Sequence, residues 1–277
     1  MVVEAVPEGK YAEVGDGITM HYHEAGSGES GTVLFVHGSG PGASGWSNFK
    51  GNYPFLAERG FRTIVPDTLG YGYSTKPAEG TYSLSDVAAQ YKALLDSLGV
   101  DRATVVGNSQ GGAIAIAMAL DYPDLVEKLV LMAPGGLEAR EVYMEMEGIK
   151  AMIRVLFKEG ISKETMRKVF TLQLYDESKI TDDIIEERYQ VAMTQHKDNI
   201  ARIQVANQED RLADIECPVL CFWGTHDKFC PASGAMKIAE RCKDSRTMLL
   251  SRCGHWVMVE HQPLFNTLTL QFLQNTL

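Results

Sequence analysis

The chain has 277 residues, 45% of them apolar and 22% charged, and a net charge of −10. That length suits one large domain or two small ones, and that apolar share supports a substantial core rather than a disordered chain. The acidic balance argues against a nucleic-acid or anionic-membrane partner, since both need a basic face, but a local arginine can still bind a small anionic substrate. At the N-terminus, residues 1–10 carry neither the basic start nor the long apolar stretch of a signal peptide. No apolar run approaches the roughly 18 residues of a membrane span. The segment Ile18–Gly26 alternates apolar and polar residues and predicts an antiparallel edge strand. Thr32–Gly38, Phe61–Asp67, Ala103–Asn108, Lys128–Pro134, Pro218–Gly224 and Arg246–Ser251 are instead continuous apolar, β-rich runs. Such runs are expected of strands buried on both faces of a parallel sheet. Helical segments at Ser85–Leu98, Gly112–Tyr122, Ala232–Arg241 and Pro263–Gln274 lie between or after them. Strand and helix in alternation predict an α/β fold with a mostly parallel sheet.

The alternation breaks between about Gly135 and Leu212, where 144–157, 163–175, 181–195 and 198–208 read as consecutive amphipathic helices. Ser162 and Thr181 are placed to cap two of them. The chain therefore divides into a core over 1–134, a helical cap or lid over 135–212, and the rest of the core over 213–277. A layer inserted between two sheet strands can cover their C-terminal ends, where open α/β sheets bind ligands. The five cysteines, Cys217, Cys221, Cys230, Cys242 and Cys253, are odd in number and show no CxxC pair. Zinc and a disulfide framework are both disfavoured, and reduced thiols in a cytoplasm fit best.

The chemistry concentrates at strand ends. Gly107-Asn108-Ser109-Gln110-Gly111 is a G-x-S-x-G motif that closes one expected strand and opens a helix, the context of a nucleophile elbow. A serine there needs a base and an orienting acid, in the chain order Ser, acid, His. Asp227 follows the strand at 218–224 and His255 follows the strand at 246–251, so both belong to the edge that carries Ser109. Asp244 and Glu260 are weaker candidate acids, because neither immediately follows a strand. His226 and His261 read as structural. The glycine-rich stretch Val36–Trp46 can bring backbone N–H groups close to a ligand. The N–H groups of Ser39 and Gln110 are the expected oxyanion hole.

These residues resemble the α/β-hydrolase superfamily along nearly the whole chain. More narrowly, they are similar to the meta-cleavage product hydrolases, carbon–carbon bond hydrolases of bacterial aromatic degradation. The resemblance rests on "HGSGPGASGWSNF", "GNSQGGA", "MAPGGL", "MEGIKAM", "LYDESKITDDIIEERY" and "CGHW". It implies that Asn48, Asn108, Gly40, Arg188 and Trp256 bind the dienoate and carboxylate end of the substrate, although spacing alone would make Arg188 a solvated helix charge. Gln110 departs from the apolar residue expected after the serine in many members, and Ser39 stands where relatives carry glycine or serine. The implied reaction needs no cofactor and no metal. It ketonises a 2-hydroxy-6-oxo-hexa-2,4-dienoate, 6-aryl in type, and then cleaves it through an acyl-enzyme. The resemblance also implies a homo-oligomer. Met144, Met146, Ile153, Phe157 and Leu174 are candidates for the distal pocket. A carboxylesterase with the same triad and a non-catalytic receptor are the competing readings. The serine at the elbow argues against epoxide hydrolases and haloalkane dehalogenases, which carry aspartate there.

Overall fold

A computed structural model of the chain describes residues 6–196, 198 and 201–277. At one edge of the sheet, β1 (Lys10–Glu13) and β2 (Thr19–Ala25) run antiparallel, and β2 pairs antiparallel with β4 (Arg62–Pro66). Beyond β4 the sheet is parallel through β3 (Thr32–Val36), β6 (Ala103–Asn108), β7 (Val126–Met132), β9 (Val219–Gly224) and β10 (Ser245–Leu250). The order is β1-β2-β4-β3-β6-β7-β9-β10. A separate ribbon pairs β5 (Tyr82–Ser83) with β8 (Ile203–Gln204).

The continuous apolar runs serve two cores, because successive side chains of a strand point to opposite faces. Leu34, Val36, Ile64, Val105, Leu129 and Leu131 lie in one cluster, with α3 (Leu84–Ser97), α4 (Gln110–Asp121) and α9 (Ser233–Arg241). Val33, Phe35, Val65, Val106, Val130 and Met132 lie in the other. That face is covered by α1 (Gly45–Phe49), α2 (Tyr53–Ala57), α10 (Val257–Glu260) and α11 (Gln262–Leu273). Every residue of β6 and β9 is buried. β10 is only half-buried and Leu249 stays exposed, because the strand has one neighbour and ends the sheet.

Between β7 and β9 the chain forms α5 (Arg140–Glu145), α6 (Glu147–Arg154), a π turn at Val155–Glu159, α7 (Lys163–Thr171) and α8 (Asp182–Ala192). Ser162 caps α7 in a reciprocal box with Thr165, and Thr181 caps α8 through the Ile184 N–H. The helix expected over 198–208 does not continue past Ala201. Ile203–Gln204 pairs as a strand with Tyr82–Ser83, so its backbone N–H and C=O groups go into a ladder instead of a helix. Asn199 and Ile200 of that expectation lie outside the described residues, as do residues 1–5 of the segment read for a leader. Among the described residues, no helix is long and apolar enough to cross a membrane.

Candidate active site

The motif after β6 makes the turn its composition demands. Ser109 has φ 55° and ψ −118°, a region that a residue with a Cβ occupies only under strain. The turn is held because the Ser109 N–H donates to Met132 O at 2.9 Å, while Ser109 O accepts from Ala113 and Gly135. The start of α4 presses against the end of β3. A Cβ on Gly111 would fall inside the van der Waals radii of the Val36 and His37 carbonyl oxygens. Those are backbone atoms and cannot swing aside. Gly111→Ala is therefore expected to destabilise the fold by about 3 kcal/mol or more, beyond the usual overpacking penalty. Thermal unfolding tests this: an unchanged Tm would contradict the close approach.

Asp227 and His255 meet as expected from loops after β9 and β10. His255 Nδ1 lies 2.6 Å from Asp227 Oδ2, and both side chains are almost fully enclosed. Asp227 Oδ1 accepts the N–H groups of Phe229 and Cys230 at 2.7 and 2.9 Å, so the carboxylate is held by its own turn. The Phe229 ring stacks on His255 with centroids 5.2 Å apart. The thiol of Cys230 adjoins both the Ser109 side chain and Asp227, and burial pushes that thiol well up. The His255 and Trp256 N–H groups both donate to Gln173 O, at 2.7 and 3.2 Å. The segment after α7 thus fixes the backbone of the histidine loop. Glu260 is not an alternative acid: its carboxylate accepts the Gly254 and Asp176 N–H groups at 2.7 Å each, bracing the same loop. Asp244 lies before β10, at the opposite end of the strand from His255, and pairs with Arg246. His226 is exposed and bonds Thr225, and His261 precedes α11 without capping it through its side chain.

The glycine-rich loop lies against the elbow. A Cβ on Gly38 would stand 3.2 Å from Ser109 Cβ and 3.0 Å from Asn108 Oδ1. Ser39 and Gly40 follow at once. Gln110 is the first residue of α4, so its N–H has no carbonyl within the helix to bond. Asn108 is fully buried and its Nδ2 donates to Met132 O at 3.2 Å.

Arg188, on α8, is buried, not solvated as its spacing alone suggests. Its guanidinium donates to Asn48 Oδ1 at 2.8 Å and Ser47 O at 3.1 Å, and lies over the rings of Trp256 and Phe170 at 4.5 and 5.3 Å. Burial pushes its pKa down to about 10, so it remains a cation at neutral pH. Among the described residues, no carboxylate comes within ion-pairing distance of it; Glu187 beside it pairs with Lys50 at 2.5 Å. A cavity of about 260 Å³ is lined by Arg188, Asn48 and Trp256 together with Lys50, Glu187 and Gln262, and its lining does not include Ser109 or His255. Of the distal-pocket candidates, Met144 and Phe157 are exposed, because they sit on the outer sides of α5 and the π turn. Leu174 is buried, and Met146 and Ile153 are partly so. The roles of Phe229, Cys230 and Gln173 escaped the sequence reading. The first two follow Asp227 closely enough that an Asx-type turn would have flagged them. Among the described residues, no three His, Cys, Asp or Glu side chains cluster to hold a metal.

A strained serine at a strand–helix elbow and a buried Asp–His pair after two later strands define a serine hydrolase of the α/β-hydrolase fold. A family model described as alpha/beta hydrolase fold matches residues 31–262. The chain is 36% identical over 92% of its length to the 2-hydroxy-6-oxo-6-phenylhexa-2,4-dienoate hydrolase of Comamonas testosteroni, covering 91% of that protein. It is 38% identical over 95% of its length to a 2-hydroxy-6-oxononadienedioate/2-hydroxy-6-oxononatrienedioate hydrolase of Paraburkholderia phymatum, covering 95% of it. The solved meta-cleavage product hydrolase from Pseudomonas fluorescens IP01 superposes with a TM-score of 0.86 at 28% identity, over 97% of this chain and 98% of that one. The chain belongs to the meta-cleavage product hydrolases.

Proposed function

We propose that this enzyme hydrolyses the C5–C6 bond of a 2-hydroxy-6-oxo-hexa-2,4-dienoate carrying an apolar, aryl-type group at C6. The observation that carries the reading is Arg188. Among the described residues, this buried cation is bonded to two neutral oxygens and lies over two aromatic faces, so its counter-ion is left to the ligand. The C1 carboxylate and C2 oxygen of the substrate sit at Arg188, with Asn48, Trp256 and the Gly40 backbone flanking them and Asn108 backing the loop.

The reaction begins as a proton moves from the C2 hydroxyl to C5 with the help of His255, which ketonises the dienol. Ser109 Oγ, deprotonated by His255, then attacks the C6 carbonyl, and the oxyanion rests on the N–H groups of Ser39 and Gln110. The C5–C6 bond breaks with its electron pair delocalising onto the C2 oxygen beside Arg188, and 2-hydroxypenta-2,4-dienoate leaves. Water activated by His255 releases the carboxylic acid from Ser109. Asp227 keeps the proton of His255 on Nδ1 and stabilises the imidazolium.

Cation placement supports an uncharged distal group. Among the described residues, Lys128 and Arg188 are the buried cations, and Lys128 donates to Phe272 O, Leu273 O and Asn275 Oδ1 at the end of α11. Arg140, Lys150 and Arg154 of α5 and α6 are exposed. One buried cation matches one carboxylate, whereas a dioate would bring a second. In this reading residues 135–212 act as the cap. A cytoplasmic location, with five free thiols, and a homo-oligomer belong to the same proposal.

Arg188→Ala tests it. Losing charge-assisted bonds of about 1.5–3 kcal/mol should lower kcat/KM on 2-hydroxy-6-oxo-6-phenylhexa-2,4-dienoate by about 10- to 100-fold. Turnover of 4-nitrophenyl acetate, which has no carboxylate, should stay within about threefold, well inside the effect of one lost neutral contact. Equal losses on both substrates would make Arg188 structural.

A further inference from the structure

We propose that a second buried Asp–His pair, Asp67 with His21, is a positioning device that holds the oxyanion loop and α1 in register with Ser109. Neither residue contacts Ser109 or His255, so any effect on rate travels through the backbone of residues 37–48. The inference rests on reading that stretch as the oxyanion and substrate loop.

Asp67 follows β4 and is fully buried. Its Oδ1 accepts the Gly45 N–H at 2.7 Å; its Oδ2 accepts the Tyr73 N–H at 2.8 Å and faces His21 Nδ1 at 2.8 Å. Burial pushes the carboxyl up, but the hydrogen bond from His21, with help from the Tyr73 N–H, outweighs it and holds Asp67 below the usual carboxylate range. Gly45 opens α1, and three residues later Asn48 receives Arg188. The carboxylate therefore pins the first turn of the short helix that positions the polar end of the site.

The next residue pins the other end of the loop. The Thr68 N–H donates to His37 Nε2 at 2.9 Å, and His37 Nδ1 bonds Gly38 O at 2.7 Å. With one ring nitrogen accepting and the other donating, His37 is neutral, and burial holds its pKa below the usual histidine range. Gly38 is the residue that packs on Ser109. Between these two points the Gly72 N–H donates to Ala43 O at 3.2 Å, and the Tyr71 ring stands edge-on to His37 with centroids 5.4 Å apart. The stretch Asp67–Tyr73 thus grips the loop at His37, Ala43 and Gly45.

His21 completes the brace from β2. Its N–H donates to Ser74 Oγ at 2.9 Å, its carbonyl accepts the Asp67 N–H at 2.8 Å, and Ser74 Oγ donates to Asp67 O at 2.6 Å. The ring is enclosed by His23, Tyr11 and Tyr73 at 4.9–5.1 Å, and Gly9 closes over Nε2. A ring held on all sides donates to one target, the Asp67 carboxylate. Without that donor the buried charge would seek another, and the Gly45 and Tyr73 N–H groups are the ones within reach.

Three His21 variants test the proposal, with kcat and KM measured on both the phenyl dienoate and 4-nitrophenyl acetate and folding checked by thermal unfolding. His21→Leu removes the donor, and kcat should fall about 10²-fold on both substrates, the scale of a misplaced reacting geometry. KM should change far less. His21→Asn places an amide N–H where Nδ1 stood and should recover kcat to within about threefold of wild type. If His21→Leu gives no folded protein, His21→Gln, which keeps a polar side chain but moves the donor outward by one bond, makes the same comparison with His21→Asn. Folded His21→Leu with unchanged kcat overturns the proposal, and so do Asn and Leu (or Gln) variants that are equally impaired. A wild-type protein that turns over the ester but not the dienoate would overturn the substrate reading instead, and the His21 comparison would still be decided on the ester.

Discussion

Ser109→Ala is expected to remove turnover of the phenyl dienoate almost completely, by about 10⁵- to 10⁶-fold in kcat, while substrate still binds. The backbone gives no reason for collateral damage. Alanine keeps the Cβ that serine has, so the strain at φ 55° is unchanged, and the bonds to Met132, Ala113 and Gly135 use main-chain atoms only. The groups proposed to hold the dienoate, Arg188, Asn48 and Trp256, sit on α8, α1 and the histidine loop and do not depend on the serine hydroxyl. The variant should bind the coloured dienoate, visible as a spectral shift on titration, and should still be able to ketonise it, since that step uses His255. Cleavage within tenfold of wild type would remove Ser109 from the chemistry.

Asp227→Asn is expected to lower kcat by about 10⁴-fold with a small change in KM. The reason lies in how the carboxylate is held. Oδ1 accepts two main-chain N–H groups, from Phe229 and Cys230, and only Oδ2 faces His255. In the asparagine variant the carbonyl oxygen must stay on the main-chain donors, because an NH₂ there would meet N–H groups. The amide nitrogen then faces His255 Nδ1 and donates to it. The ring is driven to the tautomer with its proton on Nε2, which cannot accept the proton of Ser109. Steady-state kinetics on the dienoate and on 4-nitrophenyl acetate should show the same loss, since both need the same base. A loss below tenfold on both would transfer the orienting role to another residue.

The parts of the site that were legible in the sequence are those with local causes. Gly107, Ser109 and Gly111 stand at the junction of a β-rich run and a helix, where only glycines allow the tight turn and the approach to β3. Asp227 and His255 each follow a strand, and parallel strands bring the loops after them to one edge of the sheet. The strands themselves were legible because residues buried on both faces must be apolar without alternation, as β6 and β9 are. The segment 198–208 misled for a related reason. Its apolar residues suit a helix face, but Ile203 is used as a strand residue against Tyr82, more than a hundred positions away, and no local pattern encodes that partner.

By itself, then, the amino-acid order determined the alternation of strands and helices, the strained elbow at Ser109, and the succession Ser109, Asp227, His255 at strand ends. Each follows from backbone sterics and from the period of apolar residues. Only the tertiary structure decided what surrounds them. Glu186-Glu187-Arg188 is a solvated pattern on an isolated helix, and Arg188 becomes a buried cation when α8 docks on Asn48, 140 residues away. His255 gains its backbone anchor from Gln173, and the glycine-rich loop gains its brace from Asp67 and His21, each from a separate segment of the chain. Burial strips water from a charged or polar group and makes its few remaining partners decisive. Which groups are stripped depends on contacts between distant segments, and those exist only once the chain has packed.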